Sequence, residues 1–293
     1  MKNSYIIFST IAGLFAVTES SDWGYWGDHD PVHWPGLCAT GKQQSPIDIS
    51  TKTTVKKDFC DLTFRRYEDT YHADVINNGH SVQLNFDRKS MFLSGGGLPS
   101  TYVLEQIHFH WPAEHTVNGV RDALEVHFVH YELSHQNVAQ ASQYKDGITV
   151  IATLFELSKE DNADIMHIVK VVNISNSYEP NTKPVSDKVV PSLLFPKNHS
   201  TFYRYNGSLT TPDCLESVTW VIFTEKLTIS KQQLHVFESV KAKNGTLSHN
   251  YRPTQDLGDR KVYLRGIDSS VAMPTSNLMF TLLSFMFIKL LCS

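Results

Sequence analysis

Two stretches decide how the chain is read: Gln106-Ile107-His108-Phe109-His110-Trp111 and, further on, Leu124-Glu125-Val126-His127-Phe128-Val129. Side chains alternate between faces along an extended strand. His108 and His110 therefore point one way while Phe109 packs the other, and a neighbouring strand can bring His127 to the same face with Val129 beside it. Three imidazoles without a fourth protein ligand describe a catalytic zinc site, whose open tetrahedral position holds a water. The rival reading, strand histidines that are merely half-buried and hydrogen-bonded, stays open on these residues alone.

Outward from this pair, short strands are predicted at 62–64, 72–77, 82–86 and 91–94. Asn77-Asn78-Gly79 suits a tight reversal with a positive backbone angle, and Gly95-Gly96-Gly97 makes another break. The histidine strands themselves span 103–111 and 123–132. The run 148–155 is apolar throughout and reads as a central, fully buried strand, with further strands at 189–194, 216–224 and 261–264. Modest helices fit 138–143, 161–172 and 230–239, the last opening on a capping box of Ser230 and Gln233. Residues 23–41, with Trp23, Tyr25, Trp26 and Trp34 among prolines and glycines, read as an irregular aromatic wrap. Strands outnumber helices and do not alternate regularly with long ones, which argues against βαβ layering. The expected fold is mainly β (α+β): a single domain built on a large, mostly antiparallel twisted central sheet with short peripheral helices.

With 293 residues, 41% apolar, the chain can bury one large core. A formal net charge of −4 and no long basic run argue against nucleic acid as a partner. Residues 1–20 have the layout of a secretory signal peptide: Lys2, an apolar run from Tyr5 to Val17, then small and polar residues. That run is too short for a membrane span. Residues 269–293 join small residues and a mostly polar spacer to an apolar tail at 278–291, the pattern of a glycolipid-anchor signal. A spanning helix is the rival, but the tail is short and interrupted by Lys289. Residues 21–268 remain as the folded domain, expected at the extracellular face of the plasma membrane on a lipid anchor, with a single C-terminal span or release as alternatives.

The cysteines are Cys38, Cys60, Cys214 and Cys292, and Cys292 would leave with the tail. One of the remaining three must then stay unpaired, and sequence alone does not choose the pair. Asn173, Asn198, Asn206 and Asn244 open N-x-[ST] sequons, candidate glycan sites in an exported chain. Asn206 is the least secure, because it adjoins the Gly207-Ser208-Leu209 turn of the expected site.

Gln106 and Glu125 each precede a histidine by two residues and share its strand face. There an amide oxygen and a carboxylate can accept the outer ring N–H of a zinc-bound imidazole. With these residues in view the chain resembles an alpha-class carbonic anhydrase of the secreted or membrane-tethered branch. The resemblance rests on Gln43-Gln-Ser-Pro-Ile-Asp-Ile49, Asn77-Asn-Gly-His80, Gln106-Ile-His-Phe-His-Trp111, Glu114-His-Thr116, Leu124-Glu-Val-His-Phe-Val-His130 and Gly207-Ser-Leu-Thr-Thr-Pro212 continuing to Glu216-Ser-Val-Thr-Trp220. These pieces arrive in the family's order over roughly residues 22–265.

The resemblance implies Zn2+ on His108, His110 and His127, and reversible hydration of carbon dioxide to bicarbonate and a proton. Carbonic anhydrases are known for lowering the pKa of zinc-bound water to about 7. Thr210 would orient the resulting hydroxide, accepting its proton while donating to Glu114. Val129, Val150, Leu209, Val218 and Trp220 would form an apolar wall for the substrate. Tyr25, Asn78, His80, Gln83 and Thr211 would form a hydrophilic side that orders water. His80 is the implied proton shuttle, since a free imidazole titrates near 6.5; His115 and His130 are read as structural. The family's extracellular members also imply a Cys38–Cys214 disulfide, with Cys60 left as a buried thiol or an intermolecular link.

The sequence departs from the commoner pattern at Pro112-Ala113, where a glycine and a longer loop are more usual, so the rim between His110 and Glu114 is shortened. Two other functions compete. A non-catalytic cell-surface binding module would be expected to lack a metal histidine or the threonine–glutamate pair, and both are present. A weak zinc ester hydrolase would need a leaving-group acid, and none is obvious; a narrow apolar wall favours a small substrate.

Overall fold

The structure, a computed structural model, describes residues 23–266. The expected signal peptide at 1–20 and anchor signal at 269–293 lie outside the described residues. Alternation along the strand Tyr102–His110 sets the centre of the fold. Ile107 and Phe109 enter one apolar core, Phe109 against Phe237 with ring centroids 5.5 Å apart. The antiparallel partner Leu124–Glu132 sets His127 directly across from His108, and Phe128 across from Ile107. The next strand, Ile148–Ser158, is buried on both faces over its first eight residues, as its unbroken apolar run requires.

Around this centre thirteen strands join one sheet. Its main path runs Glu179–Pro184, Ala73–Asn77, Val82–Phe86, Tyr102–His110, Leu124–Glu132, Ile148–Ser158, Val218–Phe223, Phe202–Gly207, Tyr263–Arg265 and Val55–Lys56. Most pairs are antiparallel; Ile148–Ser158 is parallel to both Val218–Phe223 and Leu227–Ser230. One core on the sheet gathers Phe109, Phe128, Phe155 and Phe237, and a second gathers Val129, Val150, Val218 and Trp220. The peripheral helices are short, the longer two being Met166–Ile174 and Lys231–Glu238. The second of these starts on the expected capping box of Ser230 and Gln233.

Several boundaries move for identifiable reasons. The predicted strand at 189–194 is a 3-10 helix, Pro191–Leu194, preceded by a single bridge from Val189 to Tyr71. Pro191 at the first helical position has no N–H for a ladder and a φ already suited to a helix. The helix predicted from 161 begins only at Met166. Before it, Asn162 takes the N–H of Asp164 on its own side chain, and its amide donates to Thr228. Local side-chain bonds of this kind compete with helix. The strand Phe202–Gly207 is not expected from the sequence, where only the Gly207-Ser208-Leu209 turn at its end stands out.

The aromatic wrap is irregular apart from the short turns Gly27–His29 and Leu37–Thr40. Trp34 fixes it by donating its indole N–H to the carbonyls of Gly24 and His29. Buried Arg252 then ties wrap to body: its guanidinium donates to Gln44 Oε1 and to the carbonyls of Ser45 and Cys38. Cys38 and Cys214 form a disulfide across 176 residues of sequence. The expectation that Cys60 stands as an unpaired thiol is not met, because no described cysteine is free.

Past Thr211-Pro212, Asp213 and Cys214 both take left-handed backbone angles, φ 50° and 48°. Non-glycine residues in that region store of order 1–3 kcal/mol each and need surrounding structure to hold them. The disulfide and the bond from Gln44 Nε2 to the Cys214 carbonyl supply that hold. Replacing both Cys38 and Cys214 with alanine is expected to lower unfolding stability by about 2–4 kcal/mol, read from the denaturant midpoint.

Candidate active site

The site grows from the face opposite Phe109. His108 directs Nδ1 to Gln106 Oε1 at 2.9 Å, and His110 directs Nδ1 to the Asn250 carbonyl at 2.7 Å. His127 directs Nε2 to Glu125 Oε1 at 2.7 Å. Each acceptor takes an N–H, so each ring's other nitrogen carries a lone pair, and the three lone pairs converge. His108 Nε2 and His127 Nδ1 stand 3.2 Å apart. His110 Nε2 is buried with no hydrogen-bond partner. All three donor atoms fall within 4.8 Å of one another. Burial is the main cause that lowers the pKa of each ring: well below the usual range for His108, to about 4 for His110, and downward for His127. Neutral rings with lone pairs aimed at one point repel one another unless a cation lies between them. Three nitrogens and no fourth protein ligand fit Zn2+ with an open position.

Glu125 is the keystone of the second layer, though it is wholly buried. Its Oε1 accepts from His127 Nε2 and His115 Nδ1, and its Oε2 accepts from the backbone N–H groups of Glu114 and His115, all at 2.7–2.8 Å. Burial by itself would raise its pKa, but the His115 and His127 contacts carry it well below the usual carboxylate range. The network continues from His115 Nε2 to the Tyr205 hydroxyl and on to Ser45 Oγ. Ser45 Oγ in turn accepts from the N–H of Ser208, two residues before Thr210. Gly207 is required beside it, since a Cβ there would stand 2.1 Å from Ser45 Oγ.

Glu114 is also buried, and that burial, helped by the nearby charge of Glu125, lifts its pKa to about 7 against the pull of His127 and the Arg252 N–H. Its Oε1 accepts the backbone N–H of Arg252 at 2.8 Å. Its Oε2 lies 3.6 Å from His110 Nε2; Thr210's hydroxyl draws the pKa down, yet no bond to Oε2 reaches full geometry. Val129, Val150, Val218 and Trp220 lie in one buried cluster, with Leu209 packed against it, and the Trp220 ring sits 4.9 Å from that of His127. Gln83 pairs in register with His108 and spends its amide on Asn85. Asn78 Oδ1 accepts the N–H groups of His80 and Ser81, shaping the turn, where Gly79 has φ +86°. His80 stacks flat on Trp23, centroids 3.7 Å apart, and its carbonyl accepts from Asn250. Tyr25 is buried beside Trp34, and the Thr211 carbonyl accepts from the Cys214 N–H. At the shortened rim the Trp111-Pro112 peptide is cis, and buried Ala113 donates its N–H to the Asp122 carbonyl.

Three contributors escape the sequence reading: Asn250, Arg252 and Tyr205. Asn250 holds His110 with its carbonyl, Trp111's N–H with Oδ1, and the carbonyls of His80 and Phe109 with its amide. It lies in a stretch outside helix and strand, so no periodicity marks it.

A mostly antiparallel sheet that presents three lone-pair imidazoles beside a buried carboxylate and an apolar wall is the build of a zinc enzyme with an open metal position. The pattern of eukaryotic-type carbonic anhydrases matches residues 29–266. The chain is 37% identical over 252 residues to a carbonic-anhydrase-type protein of Caenorhabditis elegans, covering 82% of this chain and 96% of that one. It is 33% identical to carbonic anhydrase 4 of Rattus norvegicus (84% and 85% covered) and to carbonic anhydrase 1 of Monodelphis domestica (82% and 97%). The chain belongs to the eukaryotic-type carbonic anhydrase family.

A Glu125→Gln substitution would turn an NH2 group toward N–H donors that now meet a carboxylate oxygen. It is expected to weaken zinc binding about 10–100-fold, measured by competition with a chelator of known affinity.

Proposed function

We propose that this chain is an exported carbonic anhydrase tethered to the outer face of the plasma membrane, hydrating carbon dioxide reversibly to bicarbonate and a proton. The hydration activity rests above all on one observation, the three converging imidazole lone pairs, each fixed by an outer acceptor. A zinc ion held by His108, His110 and His127 supplies the Lewis acidity that makes water nucleophilic near neutral pH, an effect established for carbonic anhydrases.

The remaining roles belong to this chain's own side chains. Thr210 holds a proton of the attacking water while Glu114, fixed by the Arg252 N–H, stands behind it as acceptor. The apolar cluster around Trp220 receives carbon dioxide, which offers little to hydrogen-bond. His80 carries the released proton outward; its support is its place in the turn that feeds the Gln83 strand, tied by Asn250 to the site. Export is supported by the layout of residues 1–20 and 269–293 and by the Cys38–Cys214 disulfide, a bond at home in oxidising compartments. Among the described residues no helix is long and apolar enough to cross a membrane.

The direct test is stopped-flow carbon dioxide hydration with zinc content measured on the same sample. One zinc per chain with rapid, chelator-sensitive turnover is expected, and full zinc with no turnover would overturn the activity. His108→Ala is expected to lose zinc and activity together; activity lost at full metal occupancy would contradict the ligand set. His80→Ala is expected to slow turnover in weak buffer on the order of 10²-fold, with partial rescue by added imidazole. Phospholipase treatment of intact cells is expected to release the protein, and retention would favour a peptide span.

A further inference from the structure

At the outer end of the site's hydrophilic side lies a cavity of about 400 Å³, lined by Tyr25, Asn78 and His80 of that side together with Trp26, Tyr178 and Asn244. That volume falls in the range of ligand sites, roughly 300–1,000 Å³, which are typically lined by aromatic groups with a few polar ones. Trp26 leaves 38% of its surface exposed there. The His80 ring, flat against Trp23, gives the cavity a wall in common with the proposed proton path. Tyr178 braces the same turn, since a Cβ at Gly79 would approach its ring to 3.1 Å.

Asn244 sits between Lys241–Ala242 and Gly245–Thr246, paired as a two-stranded hairpin, and both Asn244 and Thr246 of its sequon are exposed. The hairpin is held against the body by the Asn77 amide, which donates to the Lys241 carbonyl at 2.8 Å. Of the four sequon asparagines, Asn244 alone lines this cavity. Asn206 is spent differently: it lies within the strand Phe202–Gly207, its Nδ2 donates to Asp146 Oδ1 at 2.8 Å, and Ser208 is buried.

We propose that Asn244 carries an N-linked glycan whose first N-acetylhexosamine seats in this aromatic recess, covering the outer side of the Trp23–His80 stack. The inference rests on the export reading above. The Asn244 amide nitrogen displaces the diphosphate of a lipid-linked oligosaccharide at the sugar's anomeric carbon and loses one proton. The linkage starts at the cavity wall, so the first sugar needs no long reach. Its C–H face meets Trp26 and Tyr178, and its acetamido group meets the polar rim of Asp28 and Lys243. An exposed aromatic recess beside the proton path is thereby closed to other solutes without contact with the metal ligands.

The test uses the full-length chain made in cells with a working secretory pathway. Site occupancy is read by mass spectrometry, and acrylamide quenching of tryptophan reads the recess. Quenching is selective here, because Trp34, Trp111 and Trp220 are 2%, 0% and 1% exposed, which leaves Trp23 and Trp26 to report. Asn244 is expected to be occupied and Asn206 bare. An endoglycosidase that leaves a single sugar on asparagine is expected to preserve the low quenching, while Asn244→Gln and Thr246→Ala both raise it. A bare Asn244 with another sequon occupied would overturn the proposal and leave export standing. Four bare sequons would overturn the proposal, while the presence of the chain at the cell surface or in the medium reads export separately. An occupied Asn244 with quenching unchanged by either variant would overturn the seating of the sugar.

Discussion

Three imidazole nitrogens with lone pairs, forced toward one point in a buried place, are the constraint on which the rest of the structure depends. Left to itself such a cluster relaxes, by turning a ring or taking up a proton. Here neither is easy. Each ring's outer N–H is taken by a fixed acceptor, and burial disfavours the charged imidazolium form. The sheet and the outer acceptors together set ligand type and geometry, which is how a protein selects a metal.

The surrounding layers serve that convergence at increasing distance. Glu125, accepting four N–H donors, fixes one ligand, the His115 ring and the backbone N–H groups of Glu114 and His115. Through His115, Tyr205 and Ser45 the same carboxylate is linked to the loop that bears Thr210. That loop contains two successive left-handed residues, and the covalent tie to the aromatic wrap keeps them so. Arg252 joins the two systems, offering its backbone N–H to Glu114 and its guanidinium to the residues around Cys38. Rigidity where the chemistry occurs is thus assembled from polar bonds that are individually modest but mutually dependent.

Much of this was legible in the amino-acid order, because strand alternation is a short-range rule. His108, His110 and His127, with Gln106 and Glu125 two residues before a ligand, follow from it directly, as does the buried strand Ile148–Ser158. What escaped depends on contacts between distant segments. Asn250 and Arg252 lie outside helix and strand, and their roles exist only once the chain returns beneath His110 and the wrap. Phe202–Gly207 does not read as a strand, because only the turn at its end, Gly207-Ser208-Leu209, stands out; Asp146 holds Asn206 within the sheet. Pro191 made the opposite error, ending a β-branched run that propensity alone reads as strand.

The most direct measurement on the central constraint is zinc K-edge X-ray absorption on the zinc-loaded protein. Three imidazole nitrogens and one further light ligand in four-coordinate geometry are the expected result. A sulfur ligand, a fourth protein ligand, or a site with only two imidazoles would contradict it.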